Sequence, residues 1–222
     1  MVGLSAPTLS RDSAPTPRFR RLARTLPPLV SAALWFAGTA LASGGNYVFD
    51  GGTPAEQATV RAALDASSFD WSLVPGKVTI HIRRGIAASE SLPGQTWLDA
   101  DLLDAGTFSW GVVQMEYAQQ VGFLLLDDRQ RAGLVTALHA HAWCYEVPGT
   151  SVEDNACERF AATLAWAYWP SAKNCMKPSG AGDESAAMAP AAFRSLVTSL
   201  LGVSARAPGT SFIRQRRPNR GT

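Results

Sequence analysis

The sequence predicts an α+β domain in which a small β-sheet packs on a central helix, with further helices behind it. Three features lead there. Residues 77–83 alternate, with Val78, Ile80 and Ile82 on one face and Thr79 and His81 on the other, the period of a half-buried strand. Residues 109–125 form a long segment with very few charges, the pattern of a helix buried on most of its circumference. Behind it come capped segments with apolar residues at helical spacing. At 222 residues, 46% apolar and 17% charged, the chain is long enough for one sizeable core, and a single globular domain over 43–202 is expected.

Taken in order, Tyr47-Val48-Phe49 reads as a short strand. Thr53-Pro54-Ala55-Glu56 then combines an N-cap, a proline at the first helical position and a capping-box acid, opening a helix over 54–66 whose apolar stripe includes Val60, Ala63 and Leu64. After the 77–83 strand, Pro93-Gly94 marks a turn and 95–98 a second strand. Asp99, Asp101 and Asp104 follow. They lack the central glycine and closing glutamate of a calcium loop, so a solvated loop is expected. Within the 109–125 helix, Gln114, Glu116, Gln119 and Gln120 are polar groups on a buried element, and each needs a partner. Asp127 and Gln130 form a second capping pair for a helix to about Ala140. A helix carrying Phe160, Leu164 and Tyr168 stops at Pro170, residues 171–189 read as a loop, and 190–201 forms the last helix, with Gly202 as its stop.

The ends differ from the middle. Residues 1–42 carry five arginines against one aspartate, and 203–222 carry five arginines and no acid, so the formal charge of +2 hides −7 on the residues between. That sign argues against a nucleic-acid-binding body, and the basic end reads as a solvated, disordered tail. Arg18, Arg20, Arg21 and Arg24 precede an apolar run over 26–41 that closes on Ala40-Leu41-Ala42, the grammar of a secretory signal peptide with an N-terminal extension. The run is short for a transmembrane span, so a secreted, extracellular protein without a retained anchor is expected. Cys144 and Cys157 lie thirteen apart around the Pro148-Gly149 turn, a spacing suited to a disulfide in an oxidising compartment. Cys175 is left as a free thiol, a link to a partner chain, or an alternative mate for Cys157.

Chemistry concentrates in Val113-Gln114-Met115-Glu116-Tyr117-Ala118-Gln119-Gln120-Val121. A zincin helix reads H-E-x-x-H, because histidines at i and i+4 point from one face onto the metal while the glutamate polarises the zinc-bound water. Here the frame reads M-E-x-x-Q. Trp110-Gly111-Val112-Val113-Gln114 before it, with Cys157-Glu158-Arg159-Phe160-Ala161 and Leu164-Ala165-Trp166-Ala167-Tyr168-Trp169-Pro170 after it, resemble a bacterial secreted family related to zinc metallopeptidases of the gluzincin type. The resemblance covers roughly residues 45–178. It implies a zincin-like fold, with Glu116 at the position of the general base, Glu158 at that of the third metal ligand, and Met115 and Gln119 in place of both helix histidines.

These departures decide the expectation. A thioether and a neutral amide are poor ligands for hydrolytic zinc, and one carboxylate alone does not hold the ion. The reading is a catalytically inactive metallopeptidase homologue without a metal cofactor, Glu116 and Glu158 being vestigial. Two alternatives stand beside it: a zinc peptidase with rerouted ligands, and a module that holds peptide or protein in the old cleft. His139 and His141 could supply a relocated metal site only if the helix ends before them, since positions two apart on a helix face opposite sides. A hydrolase using Glu116 alone as general acid lacks a second carboxylate assignable from spacing. Glu116 also has a structural account, an ion pair with Arg159 or protonation, and Met115 one as filler of the vacated space.

Overall fold

A computed structural model of the chain describes residues 45–144, 151 and 154–202; the expected signal segment over 1–42 and the expected solvated tail over 203–222 lie outside the described residues. The architecture is α+β, with six α-helices and one four-stranded sheet among the described residues. Strands β1 (Tyr47–Gly51), β2 (Val78–Arg83), β3 (Glu90–Leu92) and β4 (Gln95–Asp99) lie in the order β1-β2-β4-β3. β1, β2 and β4 run parallel, and β3 is antiparallel at the edge. A parallel pair needs a crossover, and α1 (Pro54–Ala66) supplies it between β1 and β2. Its start is the expected capping box: the Glu56 N–H donates to Thr53 Oγ1 at 3.3 Å and the Thr53 N–H to Glu56 Oε2 at 2.7 Å.

The period-2 pattern of β2 is realised, with Val78, Ile80 and Ile82 in the core. On the opposite face His81 stacks on Trp97, their ring centroids 4.7 Å apart, and bridges Asp50 and Gln95. This is the cross-strand histidine that the alternation implies. β3 is not foreseen by the sequence reading. Its three residues carry no run of β-branched side chains, and the Pro93-Gly94 turn folds it back on β4 as a tight hairpin, Gly94 at φ +76°.

α2 (Ala100–Leu103) corrects the expected solvated loop. Asp99 caps it, its carboxylate accepting from the Asp101 N–H at 3.0 Å. Asp101 and Asp104 turn to Arg84, which also reaches Glu56 at 2.8 Å, so these acids are already paired with a guanidinium.

α3 (Trp110–Leu124) is the central helix, apolar or neutral nearly all round and packed against α1, the β3–β4 hairpin and α5 (Ala156–Tyr168). Gly111 lets the 171–189 loop approach it, since a Cβ there would lie 2.3 Å from Asn174 Oδ1. Asn174, buried, pins that loop by donating to the carbonyls of Ala165 and Trp169 at 3.0 and 2.8 Å. The loop also holds a 3-10 turn at Glu184–Ala186 against α5. α6 (Pro190–Leu201) packs Phe193 on Phe160 and ends at Gly202 in the left-handed region, as its sequence foretells.

α4 (Asp128–Ala137) opens on the expected Asp127–Gln130 box but stops short of Ala140. The His139 N–H reaches the Thr136 carbonyl, the Ala140 N–H reaches that of Val135, and His139 takes φ +56°. This is a Schellman stop with histidine where glycine is usual, so no glycine signalled it. Cys144 and Cys157 form the expected disulfide, their Cα atoms 5.5 Å apart, and Cys175 is a free thiol. No helix among the described residues is long and apolar enough to cross a membrane.

Candidate functional site

Each polar side chain on α3 has a separate task. Gln114 donates to the Ala63 carbonyl at 2.6 Å, tying α3 to the end of α1. Gln120 faces the hairpin: its amide N–H groups donate to the carbonyls of Leu92 (3.0 Å) and Gln95 (2.9 Å), and its Oε1 accepts from the Gly94 N–H at 2.8 Å. Gln114 and Gln120 are structural. Met115, Glu116 and Gln119, at positions i, i+1 and i+4, line a cleft of about 450 Å³ between α3, the edge strand β3 and the start of α5.

Glu158 enters that cleft from the first turn of α5, and Gln119 Nε2 donates to its Oε2 at 2.9 Å. The fold therefore brings together Met115, Glu116, Gln119 and Glu158, four side chains separated by up to 43 positions in the sequence. Cys144 lines the same cleft, so the disulfide stands at its wall, one residue from Glu158. Leu92 and Phe123 give it apolar sides, and Ser89, Glu90 and Ser91 complete the rim on β3 and just before it.

Glu116 is 9% exposed. Ser91 lies with its Oγ 3.0 Å from Glu116 Oε2 and 2.8 Å from the Glu116 backbone carbonyl, pinning the middle of β3 to α3. Burial pushes the Glu116 carboxyl up to about 7; the Ser91 hydrogen bond acts against that shift, and the charges of Glu158, Glu90 and Glu184 add to it. The result is a carboxyl that exchanges its proton near neutrality. No ion pair joins it to Arg159 among the described residues, so of its two structural accounts protonation is the one the environment favours. Spacing alone assigns no second carboxylate beside Glu116; the fold brings Glu158, which the resemblance singles out, into the same cleft, where Gln119 donates to it.

The other candidate ligands stay apart from this cleft. His81 lies on the far side of β2, and His139 and His141 are exposed at and beyond the end of α4. The early stop of α4 removes the helical argument against pairing His139 with His141, yet among the described residues no three His, Cys, Asp or Glu side chains group as a metal site requires. In the cleft itself the donor set does not fit zinc: a thioether at 115, and at 119 an amide that turns its N–H, a donor, toward the remaining carboxylate. The sequence marks Gln120 as a buried polar group in need of a partner and Pro93-Gly94 as a turn, but it does not join the two, and nothing in it signals Ser91.

Compared with known proteins, the chain matches no family model, and no curated protein or solved structure matches it significantly.

Proposed function

We propose that the protein is a secreted, zincin-like relative of the zinc metallopeptidases whose cleft holds peptide without hydrolysing it. The observation that carries this reading is the 2.9 Å hydrogen bond from Gln119 to Glu158. In a working site of that family, positions 119 and 158 would both give electron pairs to the metal. Here Gln119 donates a hydrogen bond to Glu158, so position 119 turns a donor rather than a lone pair toward the remaining carboxylate.

The surroundings support the zincin-like part. The frame lies on the central helix, the glutamate of the next packed helix faces it, and an antiparallel edge strand runs beside the cleft. That edge strand supports peptide holding, because its outer side presents backbone groups to which an extended segment can add. The Cys144–Cys157 bridge is in keeping with an oxidising compartment and hence with export.

Metal analysis of the purified protein after equilibration with zinc, alongside an assay of peptide hydrolysis, tests the reading. The expected result is no stoichiometric zinc and no cleavage. About one zinc per chain, with cleavage abolished by Glu116→Gln, would make it an enzyme with rerouted ligands instead.

A further inference from the structure

We propose that the cleft receives the side chain of a lysine from an extended peptide lying along β3, with the ammonium group against Glu116. This inference rests on the peptide-holding reading and gives it a specificity. Glu116 is nine-tenths buried, yet only its Oε2 is hydrogen-bonded; Oε1 takes no partner and is not sealed from the cleft. A carboxylate held so deep is costly unless an opposite charge meets it, and neither Ser91 nor any other lining residue brings one.

Every charged side chain of the lining is acidic: Glu90 on β3, Glu116 on α3 and Glu158 on α5. Glu184, on the turn packed against α5, adds its charge from outside the lining. Leu92, 54% exposed, Met115 and Phe123 supply apolar surface to the same lining. Apolar surface beside a deeply set carboxylate suits a side chain with a methylene stem and a cationic tip. Lysine fits better than arginine. With Oε2 engaged by Ser91, Glu116 offers one oxygen, which matches a point-charge ammonium and leaves half of a planar guanidinium fork unmet.

The test uses acetyl-Ala-Ala-Lys-Ala-Ala-amide and its norleucine counterpart, which keeps the stem and drops the charge, with an arginine version as third arm. Affinity for the purified protein is followed by NMR titration. At about pH 8 the lysine peptide is expected to bind about ten-fold more tightly than the norleucine peptide, with arginine between them. Glu116→Gln is expected to abolish that preference. The preference is also expected to fade as pH falls through 7 in the wild type, because protonation of Glu116 removes the charge that the ammonium meets. The wild-type pH series decides the matter even where the variant fails to fold. Equal binding of lysine and norleucine peptides, or a preference unchanged by pH or by Glu116→Gln, would overturn the inference and leave peptide holding intact. Binding of none of the three would overturn both. Cleavage of the bound peptide would overturn only the non-catalytic reading.

Discussion

At Glu116 the buried carboxyl is held up to about 7, well above its ordinary value near 4.5, chiefly by desolvation. A folded-state pKa raised in this way favours the neutral form, so its contribution to stability is present at low pH and is lost as pH rises through about 7. Glu116→Gln keeps the shape and fixes the side chain in a neutral state. The variant should match the wild type near pH 4 and be the more stable protein at about pH 8, by up to about 3 kcal/mol, as read from urea denaturation across pH. A variant less stable at the higher pH would mean that the carboxylate is stabilised by its neighbours. Much at this scale was legible beforehand: the spacing of 115, 116 and 119 along a helix fixes their relative positions, and the resemblance singled out Glu158. What one residue could not reveal was its partner. Ser91 reaches Glu116 through pairing of β3 with β4, and Gln119 meets Glu158 only because two helices pack.

Elements announced themselves in proportion to their length and caps. α1 opens on its capping box, α6 ends at Gly202 in the left-handed region, and β2 shows its alternation over six residues. β3 and α2 did not announce themselves. Three and four residues carry too little periodicity, and what holds each is tertiary: Ser91 and Gln120 for the hairpin, Arg84 for the acids around α2. The end of α4 carries no sequence signal for another reason, since a histidine fills a left-handed position that glycine or asparagine usually takes. Gln120 is the clamp on the hairpin. Truncation in Gln120→Ala would leave the Gly94 N–H and the carbonyls of Leu92 and Gln95 without their side-chain partner. The expected cost is about 2 kcal/mol in chemical denaturation, with hydrogen exchange accelerated more at Gly94 in the turn than along β4. Unchanged exchange there would show that the hairpin holds by itself.

For the whole molecule, the α+β class followed from periodicity, because one alternating strand and a series of capped helices leave few other packings. Strand order and the antiparallel edge did not follow, since register depends on contacts far apart in sequence. The disulfide joins the two scales: Cys144 beyond α4 and Cys157 on α5 close a loop at the wall of the cleft. Replacing both by serine should lower stability by about 3 kcal/mol on the chain-entropy account of such a loop, measured by urea denaturation under non-reducing conditions. A loss near zero would imply that packing on α3 alone holds α5 in place.

The central proposal is that a zincin-like scaffold persists around a site where a Gln119–Glu158 hydrogen bond stands in place of metal ligation. Zinc content of the folded Met115→His, Gln119→His double variant, measured beside the wild type after equilibration with zinc, tests it most directly. The account predicts none bound stoichiometrically in the wild type and about one zinc per chain in the variant, held by the two new histidines and Glu158. A folded double variant that stays free of zinc, or a wild type that already carries one per chain, would contradict it.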